Sequence, residues 1–257
     1  ILNITPDHIE RHKNFKNYVD AKFRLLDSQT SQSVGFVKIN DPVIIKKLRS
    51  KKYKQRIIKI DTSLQPQIFK KIINKYFMSS GNIENLIFVL KICQILNLNT
   101  QKLIKIINKF KGLKYRQQII FDSNYLTIIN DSKSTSIASS ENLLKNLKNV
   151  YWILCGIPKK GDKFNLTKFQ CKNFNSYIFG KHQIEFSKNL KNKLTIKKFK
   201  NLKDTLNQIF LEIKYNKVKK NTILFSPAGA SFDNFKNFED RGLYFNKIIK
   251  KYLNANR

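Results

Sequence analysis

The sequence lacks long apolar runs, and its three cysteines stand far apart. Residues 86–90 form one of its apolar runs, well short of the roughly 20 residues that a membrane-spanning helix needs. No C-x-x-C spacing occurs, so we expect reduced cysteines and a cytoplasmic location. The chain starts at Ile1, and no basic segment followed by an apolar stretch is present there. We therefore expect a truncated chain without a secretion signal.

Acidic residues are scarce. The sequence has 17 Asp and Glu against 50 Lys and Arg, which gives a formal net charge of +33. Such a charge is typical of proteins that bind nucleic acid or anionic membranes. Here the lysines are spread along the chain, and residues 46–56 and 197–203 alternate Lys with apolar residues as a solvated face does. We expect no nucleic-acid or membrane partner. A basic nucleic-acid-binding protein without enzymatic activity is the alternative, and it requires a concentrated basic face with stacking aromatic rings.

A Gly-rich phosphate loop of the form G-x-x-x-x-G-K-[ST] is also absent from these 257 residues. What the chain does contain is periodic. In its first part, helical patterns cover residues 18–26 and 84–96, and strand patterns cover residues 34–39 and 57–60. A further helix is predicted from Thr100 to about Lys111, and Gly112 ends it. We therefore predict a first domain at residues 1–112.

Beyond Arg116, strand and helix patterns alternate. The predicted strands are residues 117–121, 126–129, 150–154, 175–179 and 222–225, and the predicted helices are residues 138–147 and 202–213. Such alternation argues for a mostly parallel sheet with helices on both faces. We predict an α/β fold in which residues 113–257 form a second, Rossmann-like domain.

Residues 226–242 form the most particular stretch of the chain. They lie between a predicted strand and a segment with helical spacing, so they are predicted to form a strand-to-helix loop. In an open α/β sheet, ligands bind at such loops because backbone N–H groups and a helix N-terminus converge there. This stretch is therefore the first candidate for a binding site.

Four other stretches occur in a fixed order before this run: residues 2–8 with Ala21 and Lys22, residues 81–85, residues 110–116 and residues 130–135. Together the five stretches resemble the D-glutamate-adding branch of the Mur ligase family. One such motif alone is weak, whereas five in the family's order are specific. Other Mur ligases and folylpolyglutamate synthases share the three-domain plan but lack the run at residues 226–242.

The resemblance implies an ATP-dependent and Mg²⁺-dependent ligase of peptidoglycan synthesis. It would join D-glutamate to UDP-N-acetylmuramoyl-L-alanine through an acyl phosphate, as a cytoplasmic monomer. The family places its phosphate loop and uridine-nucleotide domain upstream of the segment that matches residue 2. We therefore expect the chain to cover the later part of the central ATPase domain and the whole glutamate-binding domain, and to be inactive by itself.

The resemblance assigns metal and nucleotide roles in the first domain. His8 would bind Mg²⁺, and Lys22, once carbamylated, would supply the hard oxygen ligand that Mg²⁺ prefers. Asn82 and Asn85 would approach the nucleotide from one face of a helix start, although Gly81 stands where the family has His. Helix N-capping is the other interpretation of Asn82.

Further roles are implied for the motif at residues 130–135 and for the residue before the second domain. The guanidinium of Arg116 would suit a phosphate when the domains close. Asp131 would contact the nucleotide or its metal, and Lys133 would offer a charge to phosphate or to the incoming substrate. Ser132 and Thr135 would donate hydrogen bonds to a carboxylate. Without the resemblance, this motif is a polar turn that caps the next helix.

The D-glutamate pocket is implied by two later motifs. Lys159, rather than its neighbour Lys160, would hold a carboxylate of D-glutamate. The rest of the pocket would come from the Ser231 hydroxyl, the Phe232 main chain and the Phe238 ring. Nothing in spacing or composition alone identifies this substrate, so its assignment depends on the resemblance.

Overall fold

The chain folds into two compact units. The computed structural model describes residues 1–6, 9–64, 66–216 and 220–255. The first unit comprises Ile1–Phe77 and Gly81–Lys109, and the second comprises Met78–Ser80 and Phe110–Arg257. Across the described ranges, no helix is both long enough and apolar enough to cross a membrane.

The first unit contains a parallel pair of strands packed by helices. Its elements are α1 Ile9–His12, α2 Phe15–Asp27, β1 Val34–Lys38, α3 Pro42–Arg49, β2 Arg56–Ile60, α4 Ser80–Ile95 and α5 Thr100–Lys109, with 3₁₀ turns at Gln67–Lys71 and Lys75–Met78. β1 and β2 run parallel. Phe23 of α2, Val37 of β1 and Ile44 of α3 are fully buried in one cluster, so the helices hold the strand pair through apolar contacts.

Helix α3 lies in a stretch that the sequence pattern marks only as a basic face. Its start is built from two local signals, because Pro42 occupies the first turn and Asp41 is the N-cap. The Asp41 carboxylate accepts from the N–H groups of Val43 and Ile44 at 2.9 and 3.0 Å, and from Ile4 N–H at 2.9 Å. The cap therefore also ties the first residues of the chain to this unit.

The second unit is an α/β sandwich. Its elements are β3 Gln118–Asp122, β4 Leu126–Asn130, α6 Ile137–Leu144, β5 Val150–Leu154, β6 Ile157–Pro158, β7 Phe174–Phe179, α7 Gln183–Leu190, β8 Thr195–Phe199, α8 Leu202–Tyr215, β9 Asn221–Phe225, β10 Gly229–Ala230 and α9 Phe238–Ala255. In the described part of the chain the main sheet has six strands in the order β3-β4-β9-β5-β7-β8. Only β3 runs antiparallel to its neighbour. The predicted α/β fold with a mostly parallel sheet is confirmed.

The fully buried strand β5 shows how the sequence forms both faces of this sheet. Val150, Trp152 and Leu154 pack with α6 and α7, whereas Tyr151 and Ile153 pack with α8 and α9. Successive side chains of a strand point to opposite faces, so an unbroken apolar run is the pattern of a strand covered on both sides. This run therefore places two helical layers around one sheet.

The chain leaves neighbouring strands toward opposite faces of the sheet. After β4 it enters α6, and after β5 it passes through Phe164 and Leu166, which pack on the same face as α6. After β9 it enters α9, whose Phe245 packs on the other face. Strands that are adjacent but continue to opposite faces open a crevice at their carboxyl ends, which is where open α/β sheets bind ligands.

Helix α9 begins inside the run that the sequence analysis predicts to be a loop. Asn237 caps the N-terminus of this helix, because its side-chain oxygen accepts from Asp240 N–H at 2.8 Å. The last five residues of the run are therefore helical. Arg241 and Gly242 follow Phe238 by three and four residues, so all three share one helix face.

Gly242 lets this helix contact Tyr115. A Cβ atom at Gly242 would lie 2.3 Å from Cδ1 and 2.7 Å from Cγ of the Tyr115 ring. Alanine within a helix is normally more stable than glycine by about 0.5–1 kcal/mol. We expect Gly242→Ala instead to lower the free energy of unfolding by about 1–3 kcal/mol, since the ring must move. Urea unfolding followed by the fluorescence of Trp152, the single Trp of the chain, measures it.

Gly81→Ala is the matched control in the other unit. Gly81 also lies in a helix, and no atom lies within 4 Å of a Cβ placed there. We expect its replacement to leave thermal stability unchanged or higher in circular dichroism. A Gly242→Ala chain as stable as the parent would contradict the Tyr115 contact.

Candidate functional site

Three loops follow the carboxyl ends of adjacent strands in the second unit and border the region that we call its crevice. We call them the β4 loop (residues 131–136), the β5 loop (residues 155–162) and the β9 loop (residues 226–237). β4, β9 and β5 are adjacent in the sheet, so their loops are also neighbours. Asp131 N–H donates to Phe225 O at 2.7 Å, and Cys155 N–H donates to Pro227 O at 3.1 Å. The three loops are therefore connected by main-chain hydrogen bonds.

Asp131 is the buried carboxyl of this crevice, with 7% of its surface exposed. Its Oδ1 accepts from Gln117 N–H at 3.0 Å, and its Oδ2 accepts from the Ser226 hydroxyl at 2.9 Å. Burial raises the pKa of Asp131 to about 7, because these hydrogen bonds and the nearby Arg116 offset only part of the desolvation. The carboxyl is thus poised between its neutral and charged forms near neutral pH.

A chain of buried hydroxyls supports Asp131 from behind. Ser226 Oγ lies 2.7 Å from Ser140 Oγ, which lies 2.8 Å from Ser134 Oγ. Ser226 O also accepts from the Trp152 indole N–H at 2.7 Å. Sequence reasoning assigned no role to Ser226, although it opens the run at residues 226–242. Its position directly after a buried strand was the available signal.

A strained turn carries Arg116 to the β4 loop. Its neighbours Tyr115 and Gln117 both have positive φ, 60° and 49°, which non-glycine residues rarely adopt. The turn is held by Lys133 N–H, which donates to Tyr115 O at 2.9 Å, and by the bond from Gln117 N–H to Asp131. Arg116 itself is exposed. The predicted phosphate ligand therefore lies beside the predicted nucleotide carboxyl.

Lys133 and Phe238, from separate motifs, meet in this crevice. Lys133 Nζ lies 4.0 Å from the centroid of the Phe238 ring, which is within cation–π distance. Beside it, the Ser132 hydroxyl donates to Phe238 O at 2.8 Å. Ser132 and Lys133 thus contact a third predicted site residue, Phe238, that lies more than 100 residues away along the chain.

Arg241 is a buried cation that sequence reasoning missed. It is 0% exposed, and its guanidinium donates to Ser132 Oγ at 3.1 Å, Ser132 O at 2.8 Å and Gly229 O at 2.9 Å. Burial lowers its pKa from the ordinary value. The available signal was its position three residues after Phe238 in the run at residues 226–242, since this spacing puts both side chains on one helix face.

The β5 loop places Lys159 at the edge of the crevice. Lys159 is half-buried, and its carbonyl accepts from Asp162 N–H at 3.1 Å. The Asp162 carboxylate in turn accepts from Ile137 N–H, the first residue of α6. Ile157 pairs with Ala230 of the β9 loop in the short β6–β10 ladder. Lys159 is therefore held relative to both neighbouring loops, while Lys160 is exposed.

The other predicted substrate residues of the second unit differ in exposure. Ser231 is buried, with 3% of its surface exposed, and its carbonyl accepts from Asn234 and Phe235 N–H. Phe232 is 75% exposed, and Thr135 is exposed. Their proposed contacts to substrate stay predictions.

Among the described residues of the first unit, the contacts of Lys22 and Asn82 do not join them into one site. Lys22 is exposed on α2, with its Nζ 5.3 Å from the centroid of the Tyr18 ring, and His8 lies outside the described residues. Asn85 is exposed, whereas Asn82 is buried inside α4 and donates to Tyr76 O at 2.7 Å. Because α4 starts at Ser80, Asn82 is not its N-cap.

A magnesium site is not formed by the described residues. Among them, no group of three or more His, Cys, Asp or Glu side chains could hold a metal ion. An apolar groove of about 700 Å³ in the first unit, lined by Ile60, Leu90 and Leu103 among others, contains none of the predicted site residues. The predicted site residues that contact one another in the described chain lie in the crevice of the second unit.

Comparison with known proteins agrees with the order of motifs. Residues 1–106 match the family model described as the Mur ligase middle domain. A UDP-N-acetylmuramoylalanine--D-glutamate ligase from Rickettsia prowazekii is 29% identical over 98% of this chain and 60% of its own length. The ligase of the same name from Petrotoga mobilis is 33% identical over 98% of this chain and 59% of its own length. The chain is therefore similar to D-glutamate ligases along nearly its whole length. It spans about 60% of the curated relatives that it matches.

Solved structures support the fold of this chain. MurF from Acinetobacter baumannii matches it with a TM-score of 0.68, over 97% of this chain and 59% of MurF, at 15% identity. Escherichia coli FolC in complex with ADP matches with a TM-score of 0.56, over 98% of this chain and 61% of FolC, at 13% identity. At such identities the likeness establishes the fold alone.

Proposed function

We propose that this chain contains the glutamate-binding domain of an ATP-dependent ligase that joins D-glutamate to UDP-N-acetylmuramoyl-L-alanine in peptidoglycan synthesis. The observation that carries the proposal is the contact of Lys133 with Phe238, because it brings two separately predicted substrate motifs into one crevice. The names of the curated relatives support the same activity. We further propose a cytoplasmic monomer without a nucleic-acid partner.

In this proposal the two domains have distinct roles. Residues 1–112 form the later part of the central ATP-binding domain, and residues 113–257 form the glutamate-binding domain. The match of residues 1–106 to the Mur ligase middle domain supports the first assignment. His8 and carbamylated Lys22 are the proposed Mg²⁺ ligands, but the described residues form no site by themselves, so we derive no step through the ion.

The crevice suits reactants that are all anionic. Cations aimed at developing or transferring negative charge are the main source of catalysis in phosphoryl transfer. Arg116 and Lys133 supply such charge, and ATP, when bound, supplies the phosphoryl group that activates the carboxyl of the muramoyl substrate. Asp131, Asn82 and Asn85 are the proposed nucleotide contacts. Because this chain has no phosphate loop, it offers only one side of a nucleotide site.

D-Glutamate is proposed to bind across all three loops. Lys159, Ser231 and Thr135 would hold its carboxylates by charge and hydroxyl donors. Ser132 would add a hydroxyl, and the Phe232 main chain and Phe238 ring would close the pocket. The Phe238 ring already contacts Lys133, so the two side chains can face the same ligand.

Phosphate release tests the proposed activity. The assay contains ATP, Mg²⁺, UDP-N-acetylmuramoyl-L-alanine and D-glutamate, with either this chain alone or this chain joined to the part of the Rickettsia prowazekii relative that precedes the matched region. We expect release only from the joined protein and only with D-glutamate, because the chain alone lacks a phosphate loop. No release from a folded joined protein, made also with the Petrotoga mobilis segment, would contradict the proposal.

Neighbouring lysines provide a matched control for the amino-acid site. Lys159→Met and Lys160→Met remove the same charge from adjacent positions of the β5 loop. In the joined protein we expect Lys159→Met to raise the KM for D-glutamate by about tenfold or more, since one charge-assisted hydrogen bond is lost. Lys160→Met is expected to leave that KM unchanged. Equal effects of the two variants would contradict the assignment of Lys159.

A further inference from the structure

We propose that Arg241 is the positioning residue that holds the β4 and β9 loops at the separation required to bind D-glutamate between them. This inference rests on the proposed function and names a residue to which no role was assigned above. It concerns a side chain that is enclosed by protein, so its effect on substrate passes through the loops that it bonds.

One guanidinium bonds both loops. Nε and Nη2 of Arg241 donate to Oγ and O of Ser132 in the β4 loop, while Nη1 donates to Gly229 O in the β9 loop. The guanidinium is planar, so its donors have a fixed relative geometry. The positions of Ser132 and Gly229 are therefore coupled through a rigid group.

The coupling extends to the predicted substrate residues. Ser132 is directly followed by Lys133, and Gly229 is two residues before Ser231. Ser132 Oγ accepts from Arg241 and donates to Phe238 O, so its hydroxyl is fixed from both sides. A shift of the guanidinium would move Lys133 and Ser231 relative to each other.

The charge of Arg241 acts through the hydrogen bonds that hold the two loops. In the described part of the chain it forms no ion pair, although a buried charge is costly without one. The neighbouring Cys155 is no counter-ion, because burial raises the pKa of its thiol to about 12. Asp233 acts on Arg241 only through space. The charge of Arg241 instead strengthens the bonds to Ser132 and Gly229, because a hydrogen bond from an ionised donor is about twice as strong as a neutral one.

The test uses this chain with two substitutions of different kind. Arg241→Lys keeps the charge and loses the rigid fork, and Arg241→Gln keeps hydrogen-bond donors and loses the charge. Lys247→Gln is the control, because Lys247 is an exposed cation on the same helix. D-Glutamate and ADP are titrated separately by calorimetry, and the single indole N–H signal of Trp152 in NMR spectra reports the fold of the sheet.

We expect both Arg241 variants to weaken D-glutamate binding by about tenfold or more, and ADP binding by less than about threefold. Only D-glutamate is proposed to bridge the two loops, so its affinity should fall more than that of ADP. A general loss of structure would weaken the binding of both ligands. Lys247→Gln is expected to change neither affinity. Unchanged D-glutamate binding in folded Arg241→Lys, or equal losses for both ligands, would overturn the inference.

A readout without ligand separates this inference from the proposed function. The amide signals of Lys133 and Ser231 are compared in the ligand-free parent, both Arg241 variants and the control. We expect the chemical shifts of both amides to change in the Arg241 variants and to remain unchanged in Lys247→Gln. If the parent chain binds no D-glutamate, the proposed function loses its support, and unmoved loop signals would then overturn the positioning role independently.

Discussion

Asp131→Asn is expected to raise the free energy of unfolding of the second unit at pH 8 by about 4 kcal/mol, and to change it little at pH 4. Burial raises the pKa of Asp131 from 3.8 to about 7, so the folded chain binds its proton more tightly than the unfolded chain. Between pH 3.8 and about pH 7, Asp131 is therefore protonated to a greater extent in the folded chain than in the unfolded chain. Stability contributed by this group is therefore complete below about pH 4 and is lost as the pH rises through about 7.

Asparagine suits the position because it removes the charge and keeps the shape. Its side-chain oxygen can still accept from Gln117 N–H, and its amide can donate to Ser226 Oγ, whose own proton can turn to Ser140. Urea unfolding of parent and variant between pH 4 and pH 8, followed by Trp152 fluorescence, measures the difference. Trp152 lies in the sheet of the second unit, so the signal reports that unit.

Asp240→Asn is the matched control for this titration. Asp240 is an exposed carboxylate on α9, so its removal changes the net charge without removing a buried group. We expect the free energy of unfolding of the control to change with pH as it does in the parent. If the free energy of unfolding of Asp131→Asn also changes with pH as in the parent, Asp131 is not the cause of the pH dependence. A gain in stability would agree with a residue that is retained for ligand binding at a cost to the fold.

Gly156→Ala is expected to lower the free energy of unfolding of the second unit by about 3–4 kcal/mol. Gly156 has a φ of 92°, in the region that favours glycine, and a Cβ there would lie 2.3 Å from Ala230 O. The obstacle is main chain, so it cannot rotate away as a side chain can. Relief requires the β5 and β9 loops to separate, which breaks the pairing of Ile157 with Ala230.

Gly161→Ala isolates the contribution of the contact. Gly161 lies in the same β5 loop with a φ of 78°, but no atom lies within 4 Å of a Cβ placed there. We expect this control to cost only about 1–2 kcal/mol, the backbone strain alone. Both variants are compared in urea with Trp152 fluorescence. Equal losses would mean that the approach of Ala230 to Gly156 contributes nothing.

Local periodicity predicted most of the elements. The strand predicted at residues 150–154 is β5, and the helices predicted at residues 18–26 and 202–213 lie within α2 and α8. α3, α7 and β8 were not predicted, since their lysines and polar residues weaken the apolar pattern. The helix predicted to end at residue 147 ends at Leu144. Boundaries depend on caps and packing, which a periodic pattern does not contain.

The roles of the site residues stay predictions. Motif order predicts functional roles for Asp131, Lys133 and Phe238, and the structure brings all three to the carboxyl edge of one sheet. The roles of Arg241 and Ser226 were not predicted, because each bonds a residue about 100 positions away. The proposed contacts of Thr135, Lys159 and Phe232 with substrate stay predictions.

The sequence by itself determined the α/β class, the two-sided burial of β5 and the strand-to-helix loops in which polar residues follow apolar strands. These features follow from side-chain periods of 2 and 3.6, which neighbouring residues set. Only the tertiary structure decided the strand order, the meeting of the β4 and β9 loops and the burial of Asp131 and Arg241. Desolvation and hydrogen bonding between distant segments depend on which strands are adjacent, and long-range packing decides that adjacency.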